Sequence, residues 1–448
     1  MKGFSSILGN PPFLGGKKIK TFHSDSFRNF IVSEIANSVK GNADLSVYFL
    51  LLSCDLSAED GIVSLITTNS IAEGDSRAVG LDKLVKSDYS IISALRDKPW
   101  SGDASVVVHA ISLSKKSKKI SFLDGKEVSN INSYLRNGRE ISPQVIESRK
   151  SKANIGVFLG TSEFVLQGDW IGRISKAHPK NVKPILNGAE INSLITDRGE
   201  RVVLDLEELN EEDVLKSQIL TEFFSHFVKP LRLNLPESRK RAKQLWWKFE
   251  SPAVVVRRIM SKNRHLIVLP EASKLGLPSI VKSESIVSHA VVLFESDSFE
   301  VFAILSSCFH WWWTQYFAPR LKGDTRYNCE NVYATFPLIE KNDIELTELG
   351  KNLYFKQLEG KNQHQVGLTS LYSMVDDNNC DSELIKLLRE IHIAIDMRIN
   401  YLYGLDVELD HDFQETKQGR KYTISSDTAE IVVDKMLQIN DNIIGGIR

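Results

Sequence analysis

Cysteine is scarce in this 448-residue chain: Cys54, Cys308, Cys329 and Cys380 are all there is, and none stand at the paired spacings of a zinc site or a disulfide framework. That scarcity suits a reducing compartment, and the cytoplasm is the expected location. Long apolar runs are missing too, with none approaching the length of a membrane span. The first residues include Lys2 but no apolar core followed by a cleavage site, so no signal peptide is expected. Net charge is nearly absent at −1, which argues against indiscriminate coating of nucleic acid. The 42% hydrophobic and 25% charged residues are ordinary globular proportions, enough for two or three domains with sizeable cores.

The charge that is present is unevenly spread. Lys229, Arg232, Arg239, Lys240, Arg241, Lys243, Lys248, Arg257, Arg258, Lys262 and Arg264 face only Glu237 and Glu250, with Trp246, Trp247 and Phe249 among them. Such a patch suits a groove gripping phosphates over a short stretch; a solvated helix face beside a small core cluster is the plainer reading. Phe309-His-Trp-Trp-Trp313 is the densest aromatic run, and core packing is preferred there over base stacking.

The first part of the chain alternates strand and helix. A short strand ends at Gly9, a helix covers Asp44 to Leu52, and buried strands follow at Gly61–Asn69, Ser90–Arg96 and Ser105–Ser112. Nearly continuous apolar strands predict a parallel or mixed sheet covered on both faces.

Directly after the first strand stands Asn10-Pro11-Pro12-Phe13. One reading is a proline-rich turn with Phe13 in the core. The other is chemical. An exocyclic amine is a poor nucleophile because its lone pair is delocalised into the ring. The Asn10 side-chain oxygen and the Pro11 carbonyl can accept its two N–H bonds and draw the nitrogen towards tetrahedral geometry. Two prolines hold those acceptors rigid, and Phe13 offers a stacking face for a base rotated out of the duplex. The motif resembles the catalytic loop of DNA methyltransferases that modify the exocyclic amine of adenine.

With Gly15-Gly16-Lys-Lys, Ala43-Asp44-Leu45, Ile66-Thr-Thr-Asn69-Ser70-Ile71, Arg77-Ala-Val-Gly-Leu81 and Pro99-Trp100 before Ala104-Ser-Val-Val-Val108, the ordered set resembles the catalytic half of MmeI-like adenine-specific DNA methyltransferases, a restriction–modification family. Gly15 and Gly16 suit close approach of backbone to DNA or cofactor, or a plain turn. Lys183-Pro-Ile-Leu-Asn-Gly-Ala-Glu190-Ile-Asn192, Ser261-Lys262-Asn263-Arg264 and Lys322-Gly-Asp-Thr-Arg326-Tyr327 before Asn331-Val-Tyr333-Ala-Thr-Phe336-Pro337 resemble its target recognition domain. Turn signals there lie at Gly160-Thr161, Gly168-Asp169 and Asn187-Gly188.

The resemblance implies an α/β chain: a partial Rossmann-like methyltransferase sheet over 1–120, a linker over 121–150, an α+β target recognition domain over 151–337 and a helical C-terminal segment over 338–448. The polar stretch from Lys115, Lys116, Lys118 and Lys119 to Arg136, Arg139, Arg149 and Lys150 carries the linker assignment. In the last segment Leu384, Leu388, Ile391, Ile395, Ile399 and Leu402 recur at helical spacing, with Gly404 as the stop. Asp427 and Glu430 predict a capping box for a final helix over Thr428–Ile439, and Phe413–Thr423 falls within the helical segment. His392 and Asp396 stand four apart, but without other ligands nearby they read as a surface pair, and no metal is expected.

What the resemblance implies for function is sequence-specific adenine-N6 methylation of double-stranded DNA with S-adenosylmethionine as donor. The expected catalytic residues are Asn10, Pro11, Pro12 and Phe13, and the expected DNA contacts are Lys183, Arg257, Lys262, Asn263, Arg264 and Arg326. The family's Phe-x-Gly-x-Gly cofactor loop has no counterpart here, and no cofactor-binding residue is assigned. Either a separate N-terminal half is an expected partner or the chain is a truncated gene product, since an apolar parallel edge left open invites aggregation. A catalytically inactive DNA-binding specificity module is the alternative.

Overall fold

The computed structural model describes residues 3–100, 107–115, 120–138, 140, 142–195, 199–321 and 324–446. Ala104–Val106, Lys116, Lys118, Lys119, Arg139, Lys322 and Gly323 fall outside the described residues. The chain divides into two compact units, Met1–Ser142 and Pro143–Arg448.

The first unit is built on six strands: β1 (Phe4–Gly9), β2 (Ser57–Thr68), β3 (Ser90–Pro99), β4 (Val107–Ser114), β5 (Ser121–Leu123) and β6 (Lys126–Val128). Their order is β1-β2-β4-β3-β5-β6. β1 and β2 are parallel, β4 runs antiparallel between β2 and β3, and β3 pairs in parallel with β5. The sheet is mixed α/β, as expected. Val63, Leu65, Ile91, Ala94, Ile111 and Leu113 form one core with Ile19, Leu45, Val47, Leu50 and Leu51 from the helices Gly16–Phe22 and Leu45–Leu56.

Cover on both faces, however, is not what forms. Along β2 the buried residues alternate with half-buried Ile62, Ser64 and Ile66, and Leu95 of β3 is exposed. The core therefore lies on one face, while the other carries small polar contacts such as Ser64 Oγ to Ser112 Oγ at 2.8 Å. Among the described residues β1 pairs on one side only, and Phe4 is 63% and Leu8 79% exposed. Polar composition also misleads over 121–142. β5 and β6 extend the sheet, and buried Leu123, Ile131 and Leu135 tie the stretch to the first core.

The second unit holds β7 (Ala153–Ile155), β8 (Val182–Leu186), β9 (Arg201–Leu204), β10 (His265–Pro270), β11 (Ser279–Lys282), β12 (Ile286–Val287) and β13 (Val291–Phe294). They make a four-stranded sheet β11-β10-β13-β7 and a three-stranded sheet β12-β8-β9. Asn187-Gly188 is a helix start: Asn187 and Glu190 exchange a capping box at the helix Gly188–Ser193. The run Phe309 to Trp313 is buried throughout, in keeping with the core reading.

Beyond Pro337 three long helices follow: Ile344–His364, Glu383–Tyr403 and Ser426–Ile444. Gly404, in the left-handed region at φ 61°, ends the second as expected. The last helix starts earlier than expected because Ser425 is the N-cap, its Oγ accepting from Thr428 N. Asp412–Thr416 and Gly419–Thr423 pair as a β-hairpin rather than continuing the helices. Among the described residues no helix is long and apolar enough to cross a membrane.

His310 is fully buried between Leu305 O and the Tyr327 hydroxyl, each 2.9 Å from a ring nitrogen. Burial pushes its pKa down from 6.5 to about 4. The folded value lies below the unfolded one, so the stability it contributes is complete above the unfolded value and lost as pH falls towards 4. The denaturation midpoint should therefore fall across that window, and His310→Phe should flatten the fall.

Candidate functional site

The loop after β1 is placed by parallel pairing. Ile7, Leu8 and Gly9 lie opposite Val63, Ser64 and Leu65 of β2, so Asn10 leaves the sheet at the carboxyl ends of both strands. In open α/β sheets that crevice is where ligands bind. Asn10 and Pro12 are exposed, Pro11 is buried and Phe13 is half-buried. Phe13 stands edge-to-face to Trp100, with ring centroids 6.4 Å apart and planes at 83°. Trp100 follows β3, so side chains from two strand ends meet at the loop.

The loop is anchored behind Phe13. Leu14 O accepts from Leu45 N at 2.9 Å, and a Cβ on Gly16 would meet the Asn42 carbonyl carbon at 2.3 Å. Gly16 thus approaches its own chain, whereas Gly15 has an ordinary φ of −57° and open space around it. Asp44 is spent at a helix start: its Oδ1 accepts from Ser46 N at 2.9 Å and from Ser46 Oγ at 2.7 Å. Asn42 N donates to Asp75 Oδ2 at 2.7 Å, and Arg77 lies over the Tyr134 ring while donating to Ser133 and Asp82. The residues around the loop are largely scaffolding. Asn10 and Phe13 are what it presents.

In the second unit Lys183 and Arg257 converge on one buried carboxylate. Lys183 Nζ is 2.8 Å from Asp205 Oδ2, and Arg257 donates bidentately to Asp205 at 2.7 and 2.9 Å. Burial pushes the Asp205 carboxyl up, but the hydrogen bonds and charges of Arg257 and Lys183 outweigh it and hold the group below its usual value. Arg326 pairs with Glu271 and stays half-exposed. Lys262, Asn263 and Arg264 end the helix Val254–Lys262 and enter β10, with Lys262 and Arg264 exposed. Asn263 Nδ2 is buried, with no hydrogen-bond partner among the described residues.

The basic stretch is not an open groove. Arg239 and the fully buried Arg232 both pair with Glu250, Arg241 pairs with Glu207, and Lys243 with Glu237. Trp246, Trp247 and Phe249 are core residues, the two indoles donating to Glu211 and to Leu209 O. Counterions distant in sequence were the missing information: Asp205 and Glu207 lie in other elements.

Comparison with known proteins bears on both units. A family model described as "Eco57I restriction-modification methylase" matches residues 1–96, and one described as "MmeI, target recognition domain" matches 145–340. DNA methyltransferase A of Bacillus subtilis (strain 168) is 25% identical over 370 residues, covering 76% of this chain and 40% of that protein. The Type IIL restriction–modification enzyme MmeI, solved in complex with DNA, superposes with a TM-score of 0.74 and 19% identity over 98% of this chain. Residues 1–96 are thus similar to restriction–modification methylases, residues 145–340 to the MmeI target recognition domain, and the fold is that of MmeI.

The chain spans 57% of the MmeI structure and about two fifths of the Bacillus relative. Methyltransferases generally draw on S-adenosylmethionine, but the groups beside the Asn10 loop do not fit a cofactor pocket on their own. The Asp44 carboxylate is taken by Ser46, and Gly16 is filled from behind by Asn42 and Ala43.

Proposed function

We propose that this chain is the catalytic and recognition portion of a sequence-specific DNA adenine-N6 methyltransferase, acting in the cytoplasm on an adenine rotated out of double-stranded DNA. The observation that carries the reading is Asn10: exposed, at the carboxyl end of β1, and followed by two prolines that limit its motion. Its side-chain oxygen and the Pro11 carbonyl accept the two amine N–H bonds. Phe13, braced edge-on by Trp100, stacks on the base, and Pro12 stiffens the turn. No strong base is required, because the amine gains acidity as it is alkylated.

Lys262 and Arg264, two exposed cations, are the first DNA contacts in this reading, and the half-buried Asn263 between them joins them only if its side chain turns outward. Arg326 adds a half-exposed guanidinium. Lys183 and Arg257 reach the duplex only through donors that Asp205 leaves unoccupied.

The methyl group comes from S-adenosylmethionine held by polypeptide outside these residues. The open β1 edge, with Phe4 and Leu8 exposed beside a free parallel ladder, is the surface such a cofactor-binding half would cover. Covering those two side chains contributes about 1.5–3 kcal/mol each. Expressed alone, the chain should be poorly soluble and bind no cofactor. Joined to or mixed with the cofactor half of a relative, it should become monodisperse and transfer methyl groups to duplex DNA. Binding without transfer in the complemented protein would instead favour an inactive specificity module.

A further inference from the structure

Cys308, Asp396 and His411 come together although 88 residues separate the first two. Cys308 opens the helix Cys308–Phe317, Asp396 lies within Glu383–Tyr403, and His411 precedes the Asp412–Thr423 hairpin. One ligand atom from each lies within 4.8 Å of the other two. Asp396 Oδ1 accepts from Cys308 N at 2.9 Å, and Asp396 Oδ2 lies 2.8 Å from His411 Nε2. The supposed surface pair of His392 and Asp396 is not at the surface, Asp396 being buried and His392 half-buried, and its members part company: His392 Nε2 meets the Tyr372 hydroxyl at 2.6 Å.

The cluster lines a cavity of about 40 Å³, room for roughly three water-sized bodies. Trp311 and Thr423 line the same cavity, and Trp311 Nε1 and Thr423 Oγ1 are buried without hydrogen-bond partners. Two orphaned polar atoms on one small cavity ask for a polar occupant. Lys421 also lines it, but lies 3.7 Å from Asp376, which offsets its charge.

We infer that Cys308, Asp396 and His411 form a binding site for one divalent, borderline-soft cation of the zinc class. The donor set is the argument. A thiolate and a carboxylate balance the two charges of the ion, and a neutral imidazole completes three protein ligands. A water on the ion takes the fourth position, where it can accept from Trp311 Nε1 and meet Thr423 Oγ1. Binding releases the Cys308 thiol proton to solvent. The proton that His411 Nε2 gives to the Asp396 hydrogen bond is lost to solvent and Nδ1 carries the ring's one proton, so that the ion takes the place of the Asp396–His411 hydrogen bond. Donors around a tetrahedral zinc stand about 3.5 Å apart, so side-chain shifts on the order of an ångström close the site. The ion would tie Cys308–Phe317, inside the recognition-domain match, to the helix Glu383–Tyr403 behind it.

The test is metal uptake by the full chain, dialysed against Zn²⁺ and separately against Co²⁺. One equivalent of Zn²⁺ is expected, with a thiolate-to-cobalt charge-transfer band in the near ultraviolet. Cys308→Ser should abolish that band. Both Cys308→Ser and His411→Gln should weaken Zn²⁺ binding by at least about a hundredfold, while Cys380→Ser changes neither. Circular dichroism establishes that each variant is folded; should Cys308→Ser not fold, His411→Gln decides. Absence of uptake by the unaltered chain, or uptake indifferent to His411→Gln, overturns the site.

Discussion

Asn10→Ala in the complemented enzyme should lower kcat for methyl transfer by about 10²- to 10³-fold while leaving duplex affinity unchanged. That is the usual consequence of removing one preorganised hydrogen-bonding group from a reacting centre. Asn10 is exposed and follows the last ladder residue of β1, so its side chain holds no element in place. The backbone carbonyl of Pro11 survives the substitution, which is why some activity should remain. Asn10→Asp keeps an acceptor but adds charge, and should fall between the two. Equal losses of kcat and of DNA affinity would mean that the loop binds rather than activates.

The second large effect is on stability. Asp205→Ala should destabilise the second unit by about 3 kcal/mol, the lower end of the range for breaking a buried ion pair by removing one partner. The lower end applies because the Lys183 and Arg257 side chains retain 36% and 22% exposure, while Asp205 retains 2%. Both cations would lose their common carboxylate, and Arg257 its bidentate contact. Because the folded pKa of Asp205 is depressed, this stabilisation is fully present above about pH 3.9 and is lost as pH falls through the folded value. Urea denaturation of the variant at neutral pH reads the loss directly. An unchanged midpoint would show that solvent screens the triad.

Local signals in this chain were the legible ones. The positions of the strands, the Asp44 helix start and the Gly404 stop depend on neighbours a few residues away, and each appears where the pattern puts it, whereas the one-sided burial of β2 did not show in its apolar run. The motif Asn10–Phe13 is equally local, and its place after a parallel strand follows from the apolar run before it. Pairings between distant residues were hidden. Nothing near Arg257 in sequence announces Asp205, and nothing near His392 announces that Asp396 turns instead to His411 and Cys308. The polar look of 121–142 concealed Leu123, Ile131 and Leu135, because three apolar residues suffice to hold a short sheet extension. Charge counting failed over 229–264 for a similar reason: the partners of Arg241 and Trp246 are Glu207 and Glu211, upstream of the counted window.

The most direct test of the account is the identity of the nucleoside that becomes labelled. The complemented enzyme would be given duplex DNA and S-adenosylmethionine carrying a radioactive methyl group, and the DNA digested to nucleosides. The account predicts label in N6-methyladenine alone, and its loss with Asn10→Ala. Label in a methylated cytosine, or none despite tight duplex binding and bound cofactor, would contradict it.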